Sequence, residues 1–293
     1  MSSIKLLSPA KVNLTLEVLG KRPDGYHEIR SLLQPVDLFD EVMIETTEVD
    51  GIQISSSGID IPEGEGNLAW KAADLFLKES RLDTGLAISI KKKIPPGSGL
   101  GGGSGNAAAV LMGLNRLTDA LTEETLFGIA PRLGADVAFF LRSVASVSEG
   151  IGERITVIKD FPLLYYVILC PNLHVSTADV YAKWDELNKE IPEDKPSSDI
   201  FEIVERFKDE AGDFPLRNDL EKPAFDLYPE IKAFRHILSS LDVKNVLMTG
   251  SGSAVYAVFR DEFEAYEIHE YLKTSPTFQV FFATGIRGWH RLI

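Results

Sequence analysis

Residues 94–108 read IPPGSGLGGGSGNAA, directly after a lysine run at 91–93. Six of the positions from 95 to 108 are glycine, the residue that loses most backbone freedom on folding. Such density means that something must approach the main chain closely. Upstream, GLAISIKKKI puts Leu86, Ile88 and Ile90 on one side of a strand; downstream, Ala107, Val110, Leu111, Leu114 and Leu117 recur at helical spacing. A strand therefore enters a glycine bend, and the bend opens a helix expected to start at Ser104–Asn106. Free N–H groups and the positive end of the helix then point at one spot, which makes an anion site. The alternative is a flexible surface loop.

Two better-known phosphate patterns do not apply. No lysine follows the last glycines, as G-x-x-x-x-G-K-[ST] requires. G-x-G-x-x-G matches at Gly97, Gly99 and Gly102, but Lys91–Lys93 and two prolines separate it from the strand. Asp119, at the distance of a ribose-binding acid, falls at a helix end.

Working outward, Val12, Leu14, Leu16 and Val18 alternate with Lys11, Asn13, Thr15 and Glu17, a strand with one polar face. Pro23-Asp24-Gly25 is turn chemistry, and SLLQPVDLFDEVMIETTE supplies one or two further strands. Asn67 is a natural N-cap for LAWKAADLFLKES. TEETLFGIAPRLGADVAFFL reads as a short helix, a stop at Gly134 and a new start at Asp136. Later come a buried strand, LLYYVILCP, a capped helix, STADVYAKWDELNKE, and two strands joined by GSGS. The most linker-like stretch is IPEDKPSS. The pattern is α+β, with two domains expected at 1–152 and 153–293.

The net charge of −14 is shared by both halves, so nucleic-acid binding has no basic footprint. An anionic substrate needs a local basic island, which draws attention to Lys91, Lys92 and Lys93. No apolar run is long enough for a membrane helix, and the opening residues lack a signal-peptide stretch. The single Cys170, in an apolar run, is expected to be core and fits a reducing, cytoplasmic compartment.

SPAKVNLTLEVLGKRPDGYHEIRSL, IPPGSGLGGGSGNAA, LGADVAFF and MTGSGSAVYAVF occur in this order from about Ser8 to Phe259. On these motifs the chain resembles the GHMP kinases, the superfamily of galactokinase, homoserine, mevalonate and phosphomevalonate kinases. LGKRPDGYHEI resembles the branch whose acceptor is a cytidine-diphosphate-linked methylerythritol. The resemblance implies an N-terminal domain like ribosomal protein S5, a C-terminal ferredoxin-like domain and an active site in the cleft between them. It implies phosphorylation of a tertiary hydroxyl by ATP, with Mg2+ carried as the ATP complex, and small-molecule partners only. Monomer and homodimer both remain open.

It also implies roles, each beside a plainer reading. Pro96, Gly97, Ser98, Gly99, Leu100, Gly101, Gly102, Gly103, Ser104, Gly105 and Asn106 would form the ATP-binding segment, Gly105 standing where the family usually has a second serine. Lys92 would lie near the nucleotide, or else in a solvated strand end. Asn67 would touch the adenine side, or only cap its helix. Asp136 would be the general base, or an N-cap; Lys11 would pair with it, and Asn13 would bind substrate, unless their strand face meets solvent. Tyr26 and Tyr181 would sandwich the cytosine, with His27 on its edge and Thr177 nearby, although Tyr181 could equally be helix packing. Gly250, Ser251 and Gly252 would face the substrate phosphates, or form a tight turn. No dense carboxylate cluster offers a metal cage; Ser104 and Asp136 are the nearest candidates. His174, His236, His269 and His290 have no ligand spacing. Two other readings are a kinase for another small alcohol and a nucleotide-binding module without catalysis.

Overall fold

The computed structural model describes residues 2–189, 199–209 and 213–288. The linker-like stretch at 191–198, His290 and the last five residues lie outside them. Strands β1 (Ser3–Lys21) and β2 (His27–Thr47) form an antiparallel hairpin around the Pro23-Asp24-Gly25 turn. The second is one strand, not two, because irregularities in register at Pro9/Ala10, Asn13/Thr15 and Val18/Gly20 let the long ribbon bend without breaking. Next come β3 (Ile52–Gly58), α1 (Leu68–Ser80), β4 (Gly85–Lys92), α2 (Gly102–Thr118), α3 (Glu123–Ile129), α4 (Val137–Arg142), β5 (Ser146–Gly150) and β6 (Arg154–Val157). These strands build the first sheet, in the order β3-β4-β2-β1, with β5 on β2 and β6 on β5. The domain division near 152 thus falls inside the β5–β6 hairpin, both of whose strands pair in this sheet.

The apolar face of this sheet packs under α1, α2 and α4. Leu86, Ile88 and Ile90 of β4 meet Ala107, Val110, Leu111 and Leu114 of α2 in one core. Helix α2 starts at Gly102, two residues earlier than expected, with Gly101 in the left-handed region as its cap. It lies close on β1: a Cβ at Gly105 would sit 2.8 Å from Ser8 Oγ and 3.0 Å from the Pro9 carbonyl. A side chain at 105 would need Ser8 Oγ and the Pro9 carbonyl to give way.

The remainder comprises β7 (Tyr165–Pro171), α5 (Thr177–Leu187), α6 (Ile200–Lys208), β8 (Arg217–Asn218), α7 (Glu221–Leu227), α8 (Pro229–Ser239), β9 (Val246–Met248), β10 (Val255–Phe259), α9 (Glu262–Leu272) and β11 (Phe278–Thr284). Four of these strands make a second sheet, β11-β7-β10-β9, with its own core around Val167, Leu169, Val255 and Ala257. Cys170 is part of β7 and buried, and burial pushes its thiol well above the ordinary range. The halves interlock. Strand β8 runs parallel to β1, the Ala254 N–H donates to the Ser98 carbonyl at 2.9 Å, and the Ile286 N–H donates to that of Pro35 at 2.9 Å.

Candidate active site

Both faces of β1 are buried, contrary to a solvent-facing polar side. Lys11, Asn13, Thr15 and Glu17 are all covered, because the second half of the chain closes over them. Thr249, at the end of β9, is the clasp. Its hydroxyl accepts the Asn13 N–H at 3.1 Å and donates to Asn13 Oδ1 at 3.1 Å. The Asn13 amide in turn donates to Ser31 Oγ at 2.8 Å. Beside this network opens a cavity of about 880 Å³ between the two halves.

One wall is the glycine segment. Gly97, Gly99 and Gly101 have φ of 67°, 77° and 73°. At Gly99 only glycine fits, since a Cβ would sit 2.2 Å from the Thr249 carbonyl oxygen. Gly101, Gly102, Gly103 and Ser104 then present the first turn of α2 to the cavity, which Pro96, Gly97, Ser98 and Gly99 also line. Packed directly against Gly99, the Gly250-Ser251-Gly252 turn lines the same space, and Ser251 Oγ is 2.8 Å from Thr177 Oγ1.

Lys11 Nζ enters here from below, 2.5 Å from Asn13 Oδ1 and 3.6 Å from Asp136 Oδ2. Asp136 stands at the cap position of α4, but its side chain makes no cap hydrogen bond. Its carboxylate is therefore available to the cavity, and the plain capping reading does not hold. Lys11, the Asp136 carboxylate and the main-chain amides of the first turn of α2 thus share one part of the cavity, where a phosphate chain would meet all three. Among the described residues no three His, Cys, Asp or Glu side chains gather as a metal cage. Such a site suits a magnesium ion that keeps phosphate and water ligands, not one held by protein alone.

Three rings, Tyr26, His27 and Tyr181, line another part of the cavity beside aliphatic residues such as Leu16, Ile29 and Val175. Tyr26 is largely exposed at its rim. One face of Tyr181, which also lines the cavity, carries the His27 ring, centroids 4.7 Å apart and planes at 24°. Burial, with the charge of Asp136 adding to it, pushes the Tyr181 phenol above its ordinary range.

Five expected nucleotide contacts do not line the cavity. Leu100 is wholly buried, and Gly105 and Asn106 face β1 and the sheet. Asn67 spends its side chain on Ala69 N and the Pro62 carbonyl, each at 2.9 Å, and is a cap. Lys92 is buried, 2.5 Å from Asp40 Oδ2, with Asn106 Nδ2 on the same oxygen at 3.0 Å. It underpins the glycine segment from the core side. Burial pushes its ammonium below the usual lysine range, with Asp40 opposing. Three residues that matter here were not singled out: Thr249, Lys21 and Asp185. Asp185 was readable, since it lies four residues beyond Tyr181 on one helix face.

A glycine segment opening a helix, set against an Asp–Lys pair in the cleft between two α+β halves, defines a GHMP-type small-molecule kinase. The family models agree. GHMP kinases N terminal domain matches residues 67–143, and GHMP kinases C terminal matches residues 202–276. The chain is 44% identical over 263 residues to the 4-diphosphocytidyl-2-C-methyl-D-erythritol kinase of Geobacter sp. (strain M21), covering 89% of this chain and 91% of that one. It is 38% identical over 280 residues to the enzyme of that name from Acetivibrio thermocellus, covering 94% and 96%. A crystal structure of 4-(cytidine 5'-diphospho)-2C-methyl-D-erythritol kinase superposes with a TM-score of 0.81 at 36% identity, covering 97% of this chain and 100% of that one. A homoserine kinase from Cytophaga hutchinsonii, at 20% identity and a TM-score of 0.69, shares the fold. The chain belongs to the 4-diphosphocytidyl-2-C-methyl-D-erythritol kinase family, whose members use ATP.

Proposed function

We propose that the protein transfers the γ-phosphoryl group of ATP to the 2-hydroxyl of 4-diphosphocytidyl-2-C-methyl-D-erythritol, a step of the non-mevalonate route to isoprenoid precursors. One observation carries the reading: Lys11 and Asp136 meet 3.6 Å apart in the same cavity as the glycine segment and the Tyr26–His27 rim. Phosphoryl transfer needs mainly positioning and charge neutralisation, and these parts supply both.

In this reading the amides from Gly97 to Ser104 hold the triphosphate, and Lys11 offsets charge that develops on it. Asn13, fixed by Thr249 and Ser31, orients the acceptor. The acceptor oxygen bonds to the γ-phosphorus as the bond to the β,γ-bridging oxygen breaks, and ADP leaves with that oxygen. Asp136 takes the hydroxyl proton and later returns it to water. Gly250, Ser251 and Gly252, with Thr177, lie beside the acceptor's diphosphate, and Tyr26 and His27 meet its base. Magnesium arriving with ATP would find Ser104 and Asp136 as protein oxygens; it would neutralise phosphate charge. The domain boundary we propose lies between Val157 and Tyr165, after the first sheet is complete. We take the cytoplasm as the compartment, in keeping with ATP use and a lone reduced thiol.

The test is an ADP-release assay with the cytidine-linked acceptor beside mevalonate and homoserine. Turnover with the first alone is expected. A preference for either of the others would overturn the assignment.

A further inference from the structure

We propose that Asp185 is a positioning residue that selects the base of the acceptor. Its carboxylate holds His27 as the Nε2–H tautomer, so that Nδ1 offers the cavity a hydrogen-bond acceptor that pairs with an amino-bearing pyrimidine and rejects a keto one. The inference rests on the functional reading above and names the device behind its base specificity.

Three residues of α5, at i, i+3 and i+4, grip the His27 ring. Tyr181 stacks on its face, Trp184 meets it edge-on at 5.6 Å and 83°, and Asp185 Oδ1 lies 2.7 Å from Nε2. Such spacing puts all three on one side of the helix. Asp185 is in turn held by Lys21, whose Nζ lies 2.5 Å from Oδ2. Lys21 is the direct partner of His27 in the β1–β2 register, so both side chains reach the carboxylate from adjacent strands. Burial raises the Asp185 carboxyl, but the bonds from His27 and Lys21 outweigh it and hold it below the usual range. An ionised carboxylate only accepts hydrogen bonds, so the proton between the two groups sits on Nε2. Nδ1 has no partner among the described residues and is not sealed in the core, and His27 lines the cavity.

A ring locked on three sides offers one fixed polar atom. Cytosine carries an amino donor where uracil carries a carbonyl acceptor. An unprotonated Nδ1 matches the first and repels the second, and a site built for a hydrogen bond discriminates strongly against an analogue that cannot make it.

The experiment compares the full-length protein with Asp185→Ala and Asp185→Glu on cytidine- and uridine-diphosphate-linked acceptors, together with 15N NMR of the His27 ring. The wild type is expected to favour the cytidine compound by about 10²-fold or more in kcat/KM. Asp185→Ala is expected to cut that preference by at least ~10-fold, mainly through KM for the acceptor, with KM for ATP held within about threefold. Asp185→Glu is expected to restore part of it. The spectrum should show Nε2 protonated and Nδ1 bare in the wild type, and a tautomer mixture in Asp185→Ala. Unchanged base preference in Asp185→Ala, equal use of both bases by the wild type, or a wild-type ring protonated at Nδ1 would overturn the inference while leaving the kinase reading intact. A wild type that leaves the cytidine compound unphosphorylated would overturn the functional reading itself, and this inference with it.

Discussion

Two buried lysines flank the glycine segment, and they do opposite work. Lys92 and Lys11 are each 3% exposed. Lys92 is fully matched: Asp40 holds it at 2.5 Å, and the other Asp40 oxygen accepts the main-chain N–H groups of Lys93 and Ile94 at 2.7 and 2.9 Å. Lys11 is under-matched, with a neutral amide oxygen at 2.5 Å and its carboxylate at 3.6 Å. A saturated buried charge stabilises a loop; one left short of its counter-charge is free to attract another anion. The difference separates scaffold from site on the two sides of one segment.

That contrast can be broken by substitution. Asp40→Ala removes the partner of Lys92 and strands a buried cation, so a loss of about 3–5 kcal/mol is expected in denaturant unfolding. Nucleotide affinity should fall with it, as the segment loses its support. Asp136→Asn should do the reverse: turnover falls at least about 10²-fold, while calorimetry still detects ATP binding and the melting temperature barely moves. Near-normal turnover in that variant would remove Asp136 from the base role.

Smaller effects sharpen the same comparison. Gly99→Ala forces a Cβ toward the Thr249 carbonyl at a φ of 77°, and should cost about 1–3 kcal/mol by thermal melt. Gly103→Ala, whose Cβ would meet only Leu68 Cδ1 at 3.5 Å, should leave the melt nearly unchanged. Glu41, the neighbour of Asp40, points to the opposite face and pairs with Lys5 and Lys91, which hold its carboxyl at about 2, below the usual 4.5. A depressed carboxyl stabilises above its unfolded value and loses that contribution as pH falls through the folded one. The gap between wild type and Glu41→Gln, under about 1 kcal/mol at neutral pH, should therefore narrow from pH 4.5 toward 2 in denaturant melts.

Features carried by the main chain were legible in the sequence. The alternation of β1 and β4, the helices capped by Asn67 and Ser176, and the glycine segment before α2 need only local rules. Features that depend on a distant cover were not. Nothing local to Lys11 and Asn13 says that Thr249, more than two hundred residues away, will seal their face. The ring stacked on one face of Tyr181, which sits on α5, comes from His27 of β2, so that contact was not readable locally either. Lys92 is a different case. It continues the Leu86, Ile88, Ile90 series at every second position, so its burial was present in the period and masked by its two lysine neighbours.

The most direct test is a crystal structure of the protein with a non-hydrolysable ATP analogue and the cytidine-linked acceptor. The triphosphate is expected on the main-chain amides between Gly97 and Ser104, with the acceptor hydroxyl within about 3.2 Å of Asp136. A triphosphate bound elsewhere, or an Asp136 carboxylate turned away from the hydroxyl, would contradict it.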